Sequence, residues 1–279
     1  MTTKNRKQYM AQLMPGILAL LTVMALVALL LGGMAALRPV SEPELTTDPT
    51  VGTTVAPSPE PNPYGPEDFV YEGDFLTCAA GESILGIDVS TFQDSVDWEA
   101  VKEAGVEFVF IRLGYRGYET GKISMDNRCL EHYAGAKAAG LKIGVYFYSQ
   151  AITVQEAVAE AEFALEIIQD WQLDLPVVYD WEYVSADART GNMDARLLTD
   201  CTLAFCRRVE LAGHRPMIYF NTTQARDLLH LSELRDYPFW LAQYNDGMDF
   251  PYRVEMWQYT SRGSVPGIQG DVDLNLWLP

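Results

Sequence analysis

Short apolar runs alternate with amphipathic stretches from residue 70 onward, and this alternation limits the possible folds more than any other feature of the sequence. A chain that alternates strand, helix and strand pairs its strands in parallel through right-handed crossovers. We predict strands at residues 85–90, 108–115, 142–149, 176–182, 216–221, 239–244, 254–260 and near Asp273, and helices at residues 98–104, 126–139, 153–171 and 193–212.

Eight strands of this kind close most naturally into an α/β, TIM-like barrel. A doubly wound open sheet is the alternative fold. Helical patterns lie between the first five strands and become sparse after Asn221. The expected catalytic or binding domain covers residues 80–279.

The start of the chain has a different composition. Residues 17–37 contain no charged side chain and are long enough to cross a bilayer as a helix. Basic residues precede this stretch, so residues 1–16 are expected in the cytoplasm and everything after Leu37 outside it. We therefore predict a single-pass anchor in the cell membrane. A cleaved signal peptide followed by secretion is the alternative.

Residues 38–79 are predicted to form a linker between the anchor and the domain. Residues 39–69 hold eight of the chain's 15 prolines, mixed with Thr, Ser and Glu. Such a composition buries too little apolar surface to fold. At about 3 Å per residue in a polyproline-like conformation, the linker would hold the domain several nanometres from the membrane.

Charge and cysteine content exclude several classes of partner. The net charge of −18 would repel a phosphate backbone, so we do not expect nucleic acid to bind. The four cysteines form no Cys-x-x-Cys pair, and we expect neither a metal nor a cofactor. A Cys78–Cys129 disulfide is possible only in an oxidising compartment.

Two carboxylates lie at the end of the fourth predicted strand. Because side chains alternate along a strand, Asp180 and Glu182 point to the same face. Adjacent carboxylates repel, so one is expected to hold a proton near neutrality while the other stays ionised. Glycoside hydrolysis needs this division of roles. A pair of solvent-facing acids is the simpler alternative.

Two further acids favour the catalytic interpretation. Asp88 ends the first strand, and Asp273 lies in the last. The first and last strands of a closed barrel are neighbours, so both acids would share a rim with Asp180 and Glu182, where barrel enzymes place their active sites. Asp271 and Asp273 also form an Asp-x-Asp pair of the kind that can bind a cation, but this signal is weak.

Aromatic side chains accompany the acids. Tyr146 and Tyr148 should point inward on the third strand, and the sixth and seventh strands carry Trp240, Tyr244, Trp257 and Tyr259. Each alone is more often a core residue, but as a group they indicate stacking on sugar rings. The residues expected to bind substrate are Tyr148, Tyr146, Tyr244, Trp257 and Tyr115.

A series of motifs resembles glycoside hydrolase family 25, the Chalaropsis-type lysozymes. The similarity covers roughly residues 84–279 in order. The motifs are Gly-Ile-Asp-Val-Ser followed by Gln93 and Val-Asp-Trp, then Phe-Val-Phe-Ile-Arg-Leu-Gly-Tyr, Gly-Val-Tyr-Phe-Tyr, Tyr-Asp-Trp-Glu, Trp-Gln-Tyr and Gly-Asp-Val-Asp-Leu-Asn.

The resemblance implies a modified barrel of five β/α units and three further strands, (β/α)5(β)3, with N-acetylmuramidase activity on peptidoglycan glycan strands. It makes Glu182 the general acid, Asp180 its partner carboxylate, and Asp88 and Asp273 the remaining site acids. Tyr148 matches an aromatic residue near the reacting sugar. Trp181 departs from the small aliphatic residue common in the family, but it should point away from the barrel interior. We expect the protein to act as a monomer.

Three alternatives stay open at this point. The barrel could bind wall glycan without cleaving it, although all four acids are present. It could also act on another polysaccharide, because fold alone does not fix function. For a muramidase, we expect the 2-acetamido group to attack the anomeric carbon. Direct attack by Asp180 and attack by a water molecule are the alternatives, because the sequence does not give the carboxylate separation that decides.

Overall fold

The computed structural model describes residues 58–279. The predicted cytoplasmic segment 1–16, the predicted anchor 17–37 and residues 38–57 of the predicted linker lie outside this range. Within residues 58–279, no helix combines the length and the apolar character that a membrane crossing requires.

The secondary structure follows the predicted alternation. A short 3₁₀ turn at Pro66–Asp68 comes first. The strands are β1 (Phe69–Glu72), β2 (Phe75–Cys78), β3 (Ile84–Val89), β4 (Phe108–Arg116), β5 (Ile123–Met125), β6 (Lys142–Ser149), β7 (Val177–Trp181), β8 (Pro216–Asn221), β9 (Phe239–Ala242), β10 (Met256–Gly263) and β11 (Val272–Trp277). The helices are α1 (Trp98–Glu103), α2 (Cys129–Ala138), α3 (Val154–Ile168), α4 (Ala195–Leu211), α5 (Thr222–Asp227) and α6 (Leu231–Leu234).

The large sheet is a closed barrel. It has nine strands in the order β3-β11-β10-β9-β8-β7-β6-β4-β5, and a further pairing of β3 with β4 closes the ring. Strand β5 lies outside the ring as an antiparallel partner of the end of β4. Neighbouring strands from β3 to β10 are parallel, whereas β11 is antiparallel to both β10 and β3. The barrel prediction is confirmed, and the open-sheet alternative is wrong.

All eight predicted barrel strands and all four predicted helices are present, with bounds that shift by a few residues. After β8 the connections contain only the short helices α5 and α6, and none lies between β9 and β10 or between β10 and β11. Five strand–helix units are therefore followed by three strands. The long helices start at side-chain caps, because Thr153 accepts from the Glu156 amide and Asp194 from the Leu197 amide.

Large aromatic side chains fill the barrel interior, and two glycines make room for them. Phe108 and Phe110 on β4 pack there with Trp240 of β9. A Cβ atom at Gly86 would lie 2.2 Å from the Phe108 ring, and one at Gly144 would lie 2.4 Å from the Phe110 ring. The interior is therefore a packed core, and open space remains only at its end.

Residues 69–78 form a hairpin of β1 and β2, whereas the sequence predicts an extended linker over residues 38–79. Phe69 is only 6% exposed and packs edge-on against Trp257, with ring centroids 4.7 Å apart, while Leu76 is buried beside it. The proline-rich composition of the whole stretch hides these apolar positions, which bury enough surface to fold against the barrel. The preceding residues also contact it, since the Arg253 amide donates to the Glu60 carbonyl.

The four cysteines are free and buried. The Cys78–Cys129 disulfide that the sequence permits is therefore not formed. Burial raises the pKa of the Cys129 and Cys201 thiols to about 12, which keeps them uncharged and weakly reactive.

We predict that Phe69→Ala lowers the free energy of unfolding by about 3–5 kcal/mol, because it leaves a cavity between the hairpin and Trp257. Urea denaturation of the purified protein measures this change. Val70→Ala on the same strand is the control, since Val70 is 41% exposed and its truncation should change stability by less than about 0.5 kcal/mol. Equal effects of the two substitutions would contradict packing of the hairpin.

Candidate active site

Inward-facing side chains change from aromatic to polar toward the carboxyl ends of the parallel strands. On β7, for example, Val178 faces the core and Asp180 and Glu182 follow at the same parity. The polar positions enclose a cleft of about 220 Å³. Its lining residues are Asp88, Ser90, Phe92, Gln93, Arg112, Tyr146, Tyr148, Asp180, Glu182, Tyr219, Trp240, Tyr244, Gln258 and Asp273.

Asp88 and Asp273 face each other across the seam between β3 and β11, where they are direct partners in the antiparallel register. Burial raises the pKa of Asp273 to about 9, and the charge of Asp88 and a hydrogen bond with it add to the effect. Burial also raises the pKa of Asp88, opposed by hydrogen bonds from Asn275, Gln258 and Asp273. The pair therefore holds a proton at neutral pH, with Asp273 as the donor to Asp88.

Two buried amides fix the orientation of Asp88. Gln258 Nε2 donates to Asp88 Oδ2 at 2.8 Å, and Asn275 Nδ2 donates to the same oxygen at 2.9 Å. The amide oxygens of Gln258 and Asn275 accept in turn from the Tyr219 hydroxyl, the Tyr244 hydroxyl and the Trp240 indole. Because donors occupy both amide oxygens, the amide nitrogens must point at Asp88, and the network favours its ionised form.

Asp180 and Glu182 form a second pair of interacting acids. Burial raises the pKa of Glu182 to about 6, and the charge of Asp88 adds to the effect. Burial also raises the pKa of Asp180 well above its ordinary value, followed by the charges of Glu182 and Asp88. Asp180 Oδ1 is buried and has no hydrogen-bond partner among residues 58–279. This carboxyl oxygen is therefore withdrawn from solvent without a compensating donor, which agrees with the raised pKa of Asp180.

The backbone that carries Glu182 is held by two glutamines. Gln150 Nε2 donates to the Glu182 carbonyl at 2.7 Å, and Gln224 Nε2 donates to the preceding carbonyl of Trp181. Thr190 in turn donates to Gln150 Oε1 at 2.8 Å. The Trp181 side chain packs outside the barrel beneath α3 and α4, as its parity predicts. Glu182 therefore extends from a fixed point at the rim.

A family comparison identifies the barrel. The sequence profile of the glycosyl hydrolases family 25 matches residues 87–268, which is more than half of the chain. The chain belongs to glycoside hydrolase family 25. Asp88, Asp180 and Glu182 lie within the matched region, and Asp273 lies five residues beyond its end.

Individual relatives agree with this assignment. The autolytic lysozyme of Clostridium acetobutylicum is 34% identical over 198 residues, which are 68% of this chain and 54% of that protein. The modular autolysin LytC of Streptococcus pneumoniae, solved with a synthetic peptidoglycan ligand, is 26% identical with a TM-score of 0.62 and covers 71% of this chain and 47% of LytC. A lysozyme structure from Streptomyces coelicolor is 25% identical with a TM-score of 0.57, over 71% of this chain and 93% of that one. This family 25 chain thus spans about half the length of the first two proteins.

The structure brings together most of the residues that the sequence predicted for the site. Asp88, Asp180, Glu182 and Asp273 all line the cleft, and so do the predicted substrate-binding residues Tyr146, Tyr148 and Tyr244. Their individual roles stay predictions. Asp271 does not line the cleft, and the described part of the chain contains no cluster of three or more His, Cys, Asp or Glu residues arranged to hold a metal ion.

Two predicted substrate-binding residues lie elsewhere. Trp257 is fully buried outside the barrel against Phe69, and its indole donates to the Gln243 carbonyl at 2.7 Å. Its place in the site was wrongly predicted, because its neighbour Gln258 takes the inward parity and Trp257 must then face outward. Tyr115 lies outside the lining of the cleft, with its ring 5.6 Å from the guanidinium of Arg112.

Sequence reasoning missed four residues that shape the site: Arg112, Tyr219, Gln258 and Asn275. Arg112 had a readable signal, because it follows Phe108 and Phe110 at the same parity as a charged residue inside an apolar strand. The amides lay within motifs of the family resemblance. Their function depends on hydrogen bonds between strands, which a single sequence does not reveal.

We predict that Asp88→Asn lowers the pKa of the Glu182 carboxyl below about 6, because the substitution removes a neighbouring negative charge that raises it. A carbon-13 NMR titration of the side-chain carboxyls measures the shift directly. Asp271→Asn is the control: it removes the same charge outside the cleft and should leave the pKa of Glu182 unchanged. An unchanged or raised pKa in Asp88→Asn would contradict the described electrostatics.

Proposed function

We propose that this chain is a peptidoglycan hydrolase that cleaves the β-1,4 bond from N-acetylmuramic acid to N-acetylglucosamine. The observation that carries the proposal is the pair Asp180 and Glu182 in a barrel-end cleft, with a Glu182 pKa raised to about 6. A carboxyl that keeps its proton near neutrality can protonate a glycosidic oxygen. Family membership supports the same reaction, as do the lysozyme names of the relatives.

Glu182 acts as the general acid. It stands at the mouth of the cleft, just beyond the end of β7, and its backbone is held by Gln150. Its proton passes to the leaving oxygen as the bond to the anomeric carbon breaks. The negative charge of Asp88 raises the pKa of Glu182 and so favours its protonated form.

Asp180 orients the 2-acetamido group of the muramic acid. Asp180 lines the cleft, and its carboxylate would accept a hydrogen bond from the acetamido N–H. That bond stabilises the ionised form of Asp180 and lowers its pKa, so the proton that the two acids share moves to Glu182. The acetamido oxygen then attacks the anomeric carbon, while Asp180 stabilises the positive charge that grows on the nitrogen. Substrate binding thus places each proton where the reaction needs it.

We predict that Glu182→Gln lowers kcat on purified peptidoglycan by at least about 100-fold, because the amide cannot supply the proton. The full-length protein and the variant are incubated with peptidoglycan, and the new reducing ends are identified by borohydride reduction and mass spectrometry. Wild type should give muramitol ends. Glu166→Gln, an exposed position on α3, makes the same change of charge and should retain full activity.

New glucosaminitol ends would instead identify a glucosaminidase, and no cleavage by wild type would favour a glycan-binding protein. NMR of the first-formed product tests the chemistry separately. A substrate-assisted route retains the anomeric configuration, so an inverted product would contradict it.

The chain's location is a second part of the proposal. The uncharged stretch 17–37 would anchor the protein in the membrane with the domain outside, near the cell wall. Residues 38–57 would continue the spacer that separates the anchor from the barrel. An anchored muramidase of this kind would act on the wall of its own cell.

We predict that full-length protein expressed in a bacterial host sediments with the membranes and is digested by protease added to intact spheroplasts. A variant that lacks residues 1–37 should stay in the cytoplasm and resist the protease. Accumulation of most of the active protein in the medium would contradict the anchor and support a cleaved signal peptide.

A further inference from the structure

Arg112 is the only cationic side chain that lines the cleft within the described residues. Its side chain is 11% exposed, and its Nε donates to Asp126 Oδ2 at 2.8 Å. The guanidinium carbon lies 5.2 Å from the ring centroid of Phe92 and 5.6 Å from that of Tyr115. One ion pair and two aromatic rings therefore fix the guanidinium before any ligand arrives.

The contacts of Arg112 leave part of its hydrogen-bonding capacity unused. A guanidinium carries five N–H groups, and within residues 58–279 Arg112 makes one hydrogen bond, through Nε. The two terminal nitrogens take no acceptor from this part of the chain. Neither nitrogen is among the buried unpartnered atoms, so both stay accessible from the cleft, and a ligand that supplies oxygen atoms there can form charge-assisted hydrogen bonds.

A purely structural role does not account for this arrangement. Asp126 also accepts from the Thr91 amide at 3.0 Å and from the Arg128 amide at 2.9 Å, so it does not depend on Arg112 alone. Arg112 lowers the pKa of Asp180 through its charge, but that effect needs no free N–H groups. The fixed fork points instead to recognition of a planar group with two oxygens.

We propose that Arg112 is a specificity-determining residue that binds the free carboxylate of the 3-O-lactyl ether on a muramic acid that carries no stem peptide. This inference rests on the proposed muramidase function and adds to it the group by which the enzyme distinguishes muramic acid from glucosamine. The lactyl ether is the chemical difference between the two sugars of the strand. A carboxylate matches the guanidinium fork in both charge and geometry.

The placement of the strands fits this assignment. Arg112 on β4 is the register partner of Tyr146 on β6, which is the partner of Val178, two residues before Asp180 on β7. Arg112 and Asp180 thus reach the cleft from strands about 10 Å apart, with Tyr146 between them. On the sugar ring, the acetamido group at C2 and the lactyl ether at C3 are neighbours. A sugar bound with its C2 substituent at Asp180 can therefore place its C3 substituent on the side of Arg112, and our proposal requires this orientation.

The charge of the cleft makes such a residue necessary for an acidic sugar. Four carboxyl groups line it, and those that are ionised repel an incoming carboxylate. Arg112 offsets this repulsion at one point of the wall. Muramic acid is thereby drawn to one orientation, and a sugar with a neutral C3 hydroxyl gains nothing from the same contact.

The test compares two glycans that differ only at the lactyl group. The first is peptide-free peptidoglycan strands with free lactyl carboxylates, and the second is the same strands after carbodiimide activation and borohydride reduction to the primary alcohol. Wild-type full-length protein should cleave the first with a kcat/KM at least about 10-fold higher, the scale of one charge-assisted hydrogen bond. The preference should appear mainly in KM.

Arg112→Gln should lower kcat/KM on the carboxylate glycan by at least about 10-fold and on the reduced glycan by less than about threefold, which removes the preference. Arg112→Lys keeps the positive charge but lacks the two parallel N–H donors of the guanidinium, so it should recover part of the preference for the carboxylate glycan. Arg128→Gln is the matched control, because it removes an equal charge at a residue that lies outside the cleft and is paired with Asp94 and Glu131. Thermal unfolding of each variant verifies that it is folded.

Two results would overturn the inference, and they are distinguishable. An active wild type without preference, or an equal loss by Arg112→Gln on both glycans, would mean that Arg112 acts only through Asp180 or the fold, and the muramidase proposal would stand. A wild type that cleaves neither glycan would overturn both proposals. If Arg112→Gln does not fold, the test uses the ratio of kcat/KM on the carboxylate glycan to kcat/KM on the reduced glycan, measured for wild type and Arg112→Lys. An equal ratio in both proteins would overturn the inference.

Discussion

The site depends on the seam at which β11 runs antiparallel between β3 and β10. This seam sets Asp88 opposite Asp273 and brings the donors Asn275 and Gln258 onto one carboxylate oxygen. The charge that Asp88 carries when ionised raises the pKa of Glu182. Strand register thus fixes the position of Asp88, and Asp88 in turn raises the pKa of the proposed general acid.

The acid cluster also connects the site to stability. Carboxyl groups whose folded pKa exceeds the unfolded value near 4 bind protons on folding. Their contribution to stability is fully present below the unfolded pKa and is lost as pH rises through the folded values, about 6 for Glu182 and about 9 for Asp273. The site therefore lowers stability at neutral pH. The aromatic interior and its surrounding layers must offset this cost.

The sequence predicted the barrel because its strands and long helices have strong, regular apolar patterns. It placed the four acids correctly because strand parity and closure of the ring are geometric rules. The prediction was wrong where either of two adjacent residues in a strand could face the barrel interior. Trp257 and Gln258 could each have faced inward. The packing of Trp257 against Phe69 and the hydrogen bond from Gln258 to Asp88 decide between them. The hairpin that carries Phe69 was also missed, because its few apolar positions adjoin a proline-rich stretch and fold only by packing on the barrel.

The order of the strands along the chain has a consequence for biosynthesis. Strand β11 supplies Asp273 and Asn275 and also fills the gap between β10 and β3. A nascent chain that has not yet released residues 272–277 from the ribosome or from a translocation channel has an open barrel. It already carries Asp180 and Glu182, yet it lacks the strand that surrounds Asp88 with its partners. A chain that stops before β11 therefore carries Asp180 and Glu182 without the closed barrel around them.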